Sequence, residues 1–461
     1  MPDVIVLLPG IMGSVLRKDG RDVWALSGSA LVTGLRTLGG SIKDLTLSSD
    51  SAHADSLGDG IVAERIFPDT HLLPGFWKID GYSTIARAIS SEFDVRSGLN
   101  YFEFAYDWRR DNRVHARRLA RLAPSWLKTW RQVSGNTSAK LVLIAHSMGG
   151  LVSRYFLEVL GGWRDTRMLI TFGTPYRGSL KALNALANGH RVSVGPLTIA
   201  DLSSLVRSFT STYQLLPIYP CYDPGSGKLQ RVGEVTGVPN LDASRAKAAL
   251  DFHNEIRFAV ERNAKEPAYQ AGRYTIHPIV GTYQPTLQIG RLVGNGLEMS
   301  DEHPQANIKG DGTVPQVSAT PIEPEALTKQ HRVVYVAEVH GSLQNSRPML
   351  VHLRQLLAEG GVPLDAFRDP TTKAISLTLE DLYSTEQTVR IKVGCEDPRA
   401  LLVVSVTEAH SGRRVARITV DEAGEGMQFV DCGRLPEGTY RVSASGVDGG
   451  SATDVFVVVR L

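Results

Sequence analysis

The chain is poor in cysteine: Cys221, Cys395 and Cys432 are the three in 461 residues. None belongs to a C-x-x-C pair, so no zinc site built on thiolates is expected, and no metal. So few in so long a chain do not make a disulfide framework, which fits a reducing compartment. Cys395 and Cys432 read as two thiols rather than a bridge. Long apolar runs are missing too. No stretch approaches the roughly 20 residues of a membrane-spanning helix. The N-terminus, MPDVIVLLPGIMG, lacks the basic start of a signal peptide and reads as a strand that begins at once. The expected location is cytoplasmic. Charge imbalance is equally absent: 50 Lys and Arg against 48 Asp and Glu leave a formal net charge of +2, which argues against a nucleic-acid binder. What is present, 42% hydrophobic and 21% charged residues, suits a globular chain large enough for more than one domain.

The chain is organised around Lys140 to Glu158, KLVLIAHSMGGLVSRYFLE. LVLIA is a short β-branched run, the signature of a strand buried on both faces. Leu151, Val152, Tyr155, Phe156 and Val159 then recur at helical spacing. Between strand and helix sits Ser147, with Ala145 two residues before it and Gly149 two after. A serine at the apex of so tight a turn needs small neighbours, because the turn forces strained backbone. The pattern predicts a nucleophile elbow of the α/β-hydrolase kind, which would aim the Met148 N–H and a helix N-terminus at a developing oxyanion. An ordinary β–α turn would not need small residues on both sides. Val4 to Leu8, followed by Pro9-Gly10-Ile11-Met12-Gly13, is a buried strand with a glycine-rich turn. It is where the second oxyanion N–H belongs, and Ile11 is the candidate.

Other pieces fall into place around these. His71 to Tyr82 (HLLPGFWKIDGY) is an apolar loop in which Phe76 and Trp77 are candidates to touch an apolar ligand or a membrane surface. Tyr101 to Asp107 alternates like a strand. The arginine run from Arg109 to Arg121 shares its helix with an apolar stripe and reads as that helix's solvated face, with Pro124 expected to kink or divide it. Leu180 to Ala187 has helical spacing. About 190 to 267 is irregular and apolar, with Leu215 and Leu216 in its TYQLLPIYP stretch; an insertion here suits a lid or cap. Asp311, in GDGTVP after the strand Tyr274 to Thr282, and His340, after the strand Arg332 to Val339, complete a Ser…Asp…His order. His331, His352 and His410 are the alternatives to His340: the first begins a strand, the second lies in a helix and the third belongs to the tail. From Lys373 to Leu461 about seven short strands separated by turns predict an immunoglobulin-like β-sandwich.

PGIMGSVL (Pro9 to Leu16), PGFWK (Pro74 to Lys78), AYDWR (Ala105 to Arg109), AHSMGG (Ala145 to Gly150), FGTPYRGS (Phe172 to Ser179) and GDGTVP (Gly310 to Pro315) together resemble the lecithin:cholesterol acyltransferase family over roughly residues 4 to 360. The resemblance implies a serine acyl hydrolase or acyltransferase acting on lipid esters without a metal or organic cofactor. It implies Ser147 as nucleophile, Asp311 as acid, and Ile11 and Met148 as oxyanion donors; His340 is placed as base by position. The expected architecture is an α/β-hydrolase domain over 1–366, its cap at about 190–267, and a β-sandwich domain over 373–461. The tail carries no catalytic constellation. It is expected to be an accessory, dispensable to the hydrolase and available to a protein partner. Two further readings stand beside this one: a small-ester hydrolase or thioesterase under a closed cap, and a catalytically silent hydrolase-fold protein that binds partners through its tail.

Overall fold

The computed structural model describes residues 1–24, 44–74, 77–272, 274–303, 309–322, 333–359, 373–447 and 449–460. Apolar runs form a parallel sheet of six strands: β1 (Val4–Leu8), β2 (Tyr101–Glu103), β3 (Leu141–His146), β4 (Thr166–Phe172), β5 (Thr275–Gly281) and β6 (Val334–Val336). Their order across the sheet is β6-β5-β4-β3-β1-β2. β1 and β3 are buried along their whole length, as helices on both faces require. The main helices are α1 (Asn112–Ser134), α2 (Met148–Glu158), α3 (Leu180–Ala187), α4 (Ala243–Asn263) and α5 (Arg347–Glu359).

Two expectations about the basic helix are corrected. α1 is capped by the Asp111 side chain, which accepts from the Arg113 N–H, and runs through Pro124 undivided. Its buried stripe of Leu119, Ala123, Leu127 and Trp130 outweighs the one missing backbone bond. The arginines before it are not solvated. Arg109 is fully buried between Asp107 (2.6 Å) and Asp59 (2.9 Å). Arg110 meets Asp50 (3.1 Å) and the carbonyls of Ser51, Ala54 and Asp55. Asp107 and residues 50–59 supply these acceptors in place of water. The strand expected over Tyr101 to Asp107 stops at Glu103. Beyond it, Tyr106 turns inward to donate to the Pro9 carbonyl (2.7 Å).

Between β4 and β5 the chain inserts α3, a hairpin (Arg191–Val194 with Leu197–Asp201), two short helices (Ser203–Ser208 and Thr210–Gln214) and α4. The tail forms β7 (Ile375–Leu379), β8 (Leu382–Ser384), β9 (Arg390–Cys395), β10 (Leu402–Glu408), β11 (Arg414–Val420), β12 (Gln428–Asp431), β13 (Gly438–Gly446) and β14 (Ser451–Val459). They make two sheets, ordered β7-β9-β12 and β8-β14-β13-β10-β11. Leu377, Ile391 and Val393 of the first share one apolar core with Val404, Val442 and Phe456 of the second. Cys432 is a half-buried thiol outside any disulfide. β14 is unusual in serving two cores. Phe456 and Val458 enter the tail's own core, while Val455, Val457 and Val459 join the core of the parallel sheet. Successive side chains of a strand point to opposite faces, so this one strand joins the two bodies.

Candidate active site

Ser147 sits between β3 and α2 with φ 51° and ψ −123°. This backbone region is sparsely populated for a residue with a Cβ, and holding it costs about 1–3 kcal/mol. The surroundings that hold it are specific. The Ser147 N–H donates to the Phe172 carbonyl (2.8 Å), and the Thr174 hydroxyl donates to the Ser147 carbonyl (2.9 Å). Glycine at 149 and 150 is steric in origin. A Cβ at Gly149 would lie 2.5 Å from the Pro9 carbonyl oxygen, and one at Gly150 would lie 2.1 Å from the Thr174 Oγ1. α2 thus approaches the Pro9–Gly13 turn more closely than any side chain permits.

That turn is closed by a bond from the Gly13 N–H to the Gly10 carbonyl (3.0 Å), with Met12 at φ 58° where glycine is usual. Its Gly10 presses on the serine: a Cβ there would lie 3.0 Å from Ser147 Cβ. Ser147 makes no side-chain cap on α2, so the first N–H groups of the helix receive no side-chain acceptor. Ile11, next to Gly10 in that turn, and Met148, next to the serine, are both fully buried.

His340 opens a short 3-10 turn after β6, and Asp311 lies in the turn after β5 and its hairpin. The Ser147 hydroxyl meets His340 Nε2 at 3.1 Å, and His340 Nδ1–H donates to Asp311 Oδ2 at 2.6 Å. The other carboxylate oxygen of Asp311 accepts the N–H groups of Thr313 (2.9 Å) and Val314 (2.6 Å). The His340 N–H donates to the Asp311 carbonyl (2.8 Å), so the two residues are joined by backbone as well as by side chain. Gly173 leaves the room for this pair: a Cβ on it would lie 2.9 Å from both Asp311 Oδ2 and His340 Nδ1. The structure therefore brings together Ser147, Asp311 and His340. Of the alternative histidines, His352 is buried within α5 and His410 is exposed in the tail. His331 lies outside the described residues, as does Phe76.

The substrate-contact candidates fare differently. Trp77 is buried, its ring edge-on to His340 with centroids 5.0 Å apart. It walls the histidine and does not face a membrane surface. Leu215 and Leu216 are 2% and 3% exposed and are absorbed by packing. The Leu215 carbonyl accepts from the Ser179 N–H (2.8 Å), and the Leu216 backbone fills the space beside Gly178. An apolar run in an insertion reads the same whether it lines a ligand site or packs on its neighbours. Here these two leucines pack.

Two site residues carry little sequence signal. The Gly10 N–H donates to the Tyr82 hydroxyl (2.8 Å), which in turn donates to His146 Nδ1 (2.9 Å). His146 Nε2–H then donates to the His340 carbonyl (3.1 Å). Burial, and then the neighbouring His340, push His146 down to about 3, so it is neutral at physiological pH. Burial likewise holds the Tyr82 hydroxyl protonated. This relay ties the Pro9–Gly13 turn to the His340 turn. His146 is visible in AHSMGG only as a neighbour of the serine. Among the described residues no group of His, Cys, Asp and Glu is placed to hold a metal ion, and no helix is long and apolar enough to cross a membrane.

With this geometry in hand, the sequence model of the lecithin:cholesterol acyltransferase family matches residues 78–352. The chain belongs to that family. Its parallel sheet and elbow are those of an α/β-hydrolase. It is 28% identical over 253 residues to the human lysosomal phospholipase A and acyltransferase, across 51% of this chain and 56% of that protein. It is 34% identical over 118 residues to the rat protein of the same name, across 24% and 27%. The chain thus spans little more than half the length of the human relative. Among solved structures, a chain of the Tle4–Tli4 complex aligns over 78% of this chain and 99% of its own, at 12% identity and a TM-score of 0.49. The mature lipase BlEst2 of Bacillus licheniformis aligns over 77% and 91%, at 11% identity and a TM-score of 0.32.

Proposed function

We propose that the protein is a serine acyl hydrolase or O-acyltransferase acting on lipid esters through an acyl-enzyme on Ser147. The observation that carries this reading is the continuous line from Asp311 Oδ2 through the His340 ring to the Ser147 hydroxyl, at 2.6 and 3.1 Å. Along that line Ser147 Oγ adds to the ester carbonyl carbon while its proton passes to His340 Nε2, and Asp311 stabilises the imidazolium. The Ile11 and Met148 N–H groups donate to the oxyanion. His340 then returns the proton to the leaving alkoxide as the C–O bond breaks. Water or an alcohol repeats the sequence in reverse to free the enzyme. The lipid substrate class rests on family membership and on the relatives' names. In this reading residues 1–366 form the hydrolase domain and residues 373–461 an immunoglobulin-like sandwich.

A fluorophosphonate probe tests the nucleophile: the protein labels and Ser147→Ala does not. Full labelling of that variant removes the assignment. The substrate is tested with p-nitrophenyl esters of rising chain length, with and without phospholipid vesicles; long chains and vesicles are expected to raise turnover. One observation favours a second reading. Ser147 is fully buried, and Leu215 and Leu216 of the insertion are packed away, which suits a small-ester hydrolase with a closed cap. Activity confined to acetyl and butyryl esters and indifferent to vesicles selects it. Products formed with an added long-chain alcohol tell transfer from hydrolysis.

A further inference from the structure

The tail reaches the site at four points. Lys78 follows Trp77 in the short strand Trp77–Ile79. Trp77 and Ile79 turn into the hydrolase core, and by strand alternation Lys78 points the other way, into the tail. There its ammonium lies between Asp381 (2.7 Å) and Asp454 (2.6 Å), with all three side chains largely buried. Two residues on, Asp80 holds the Arg441 guanidinium (Nε to the two carboxylate oxygens, 3.0 and 3.1 Å) while its own N–H donates to the Gly341 carbonyl (2.9 Å). Glu338, two residues before His340, accepts on one oxygen the N–H groups of Val339 (3.0 Å) and of Thr453 in β14 (2.6 Å). Gln284 pairs by backbone with Gly310, beside Asp311. Its side-chain amide donates to the Ile375 carbonyl (3.0 Å) and accepts from the Leu377 N–H (2.9 Å).

β8 also packs on the hairpin strand Arg191–Val194, but these four contacts share one neighbourhood. They fall on the segment that carries Trp77, on the turn that carries Asp311 and on the turn that carries His340. The segments are also locked to each other: a Cβ on Gly341 would lie 2.4 Å from the Lys78 carbonyl oxygen. A buried ammonium that loses its carboxylates either sheds its proton or reaches for water, and reaching for water pulls the strand Trp77–Ile79 outward. Trp77 would move with it, away from the histidine ring.

We propose that the C-terminal two-sheet module is a working part of the active site, and that Lys78, gripped by Asp381 and Asp454, is a positioning residue that sets the Trp77 wall and the turn of His340. The inference rests on the reading of His340 as the base. It reverses the expectation of a dispensable accessory.

The test uses the full chain, with p-nitrophenyl ester turnover and fluorophosphonate labelling as readouts. Lys78→Met is expected to lower kcat roughly 10- to 100-fold, the penalty of a misplacement near 1 Å, with KM little changed. Lys78→Arg is expected to restore most of kcat, which a merely space-filling role would not predict. Asp381→Asn/Asp454→Asn is expected to lower kcat as well, and to be non-additive with Lys78→Met. Lys78→Met alone leaves two carboxylates buried without a cation and could fail to fold. The neutral triple variant Lys78→Met/Asp381→Asn/Asp454→Asn removes that penalty, and its fold is checked by near-ultraviolet circular dichroism. A folded triple variant with wild-type kcat overturns the proposal, as do single losses that simply add. If the wild-type protein neither labels nor turns over any ester, the catalytic reading falls and this proposal with it. If the wild-type protein is active and every variant equals it, the proposal falls alone.

Discussion

Ser147 and His340 face each other across 3.1 Å, yet they are held by different means. The serine is fixed by its own neighbourhood: a strained φ, two glycines that let α2 reach the Pro9–Gly13 turn, and a threonine on its carbonyl. The histidine is fixed from afar. Its turn is bonded to Asp80, its ring is walled by Trp77, and the segments around it end on carboxylates and backbone of the tail. Backbone strain is stored where the chain makes a tight turn of its own sequence. Electrostatic restraint is needed where several distant segments must agree on one position. The serine side should therefore respond to a methyl group, and the histidine side to charge.

The largest effect tests the junction of the two sides. Asp311→Asn should fold, because its backbone-bonded oxygen is retained, and should lose on the order of 10⁴ in kcat, since it no longer holds the histidine in the right tautomer. Next comes pH. His115 and His146 are pushed down to about 3, and His190 and His253 to about 4, in each case chiefly by burial. Below about 6.5 the unfolded chain binds protons at these positions that the folded chain does not. Each histidine then withdraws on the order of 1 kcal/mol per pH unit. Urea midpoints should fall steadily from pH 6.5 towards pH 4.

On the serine side, Gly149→Ala inverts a rule. In an exposed helix the change would stabilise by about 1 kcal/mol. Here the new methyl meets the Pro9 carbonyl and should destabilise by about 1–3 kcal/mol, seen as a lower urea midpoint, with a loss of esterase activity. On the histidine side, burial pushes the Glu338 carboxyl up to about 8, with Asp80 and Asp454 adding to the rise. Lys78 faces Asp454, and Arg441 faces Asp80. The folded chain thus holds a proton that the unfolded chain has lost above about 4.5, and stability falls as pH rises from there to about 8. Glu338→Gln keeps the acceptor and removes the ionisation. It should be more stable than wild type at pH 8.5 and match it at pH 4. The smallest effect is expected of His352→Ala, in α5 and apart from both sides: a lower midpoint, with kcat unchanged. Loss of turnover in that variant would displace His340.

The same contrast decides what could be read in the sequence. β1 begins and ends as the apolar run Val4 to Leu8 predicts, and α3 as the spacing of Leu180 to Ala187 predicts. Short-range patterns of this kind also give the elbow, and the order of motifs singles out three residues that the fold brings into line. Arg109 and Arg110 read as solvated because the acceptors at 50–59, which with Asp107 enclose them, carry no periodic signal. Leu215 and Leu216 look the same in a lid as in a core. Lys78 is the extreme case. In PGFWK it is one polar residue beside an aromatic pair, and its carboxylates lie 303 and 376 positions further along the chain. Nothing local distinguishes it from a lysine on the surface.

That separation has a consequence for the order in which the protein comes into being. A ribosome adding about 5–20 residues per second needs roughly 20 to 75 s after Lys78 emerges to make Asp454. For the last 114 residues of that interval, about 6 to 23 s at the same rate, Ser147, Asp311 and His340 are all in the chain while the ammonium that belongs between two carboxylates still lacks Asp454. Val455, Val457 and Val459, which finish the hydrolase core, arrive later still. The nascent chain therefore carries Ser147, Asp311 and His340 before it carries β14, the strand that completes their setting.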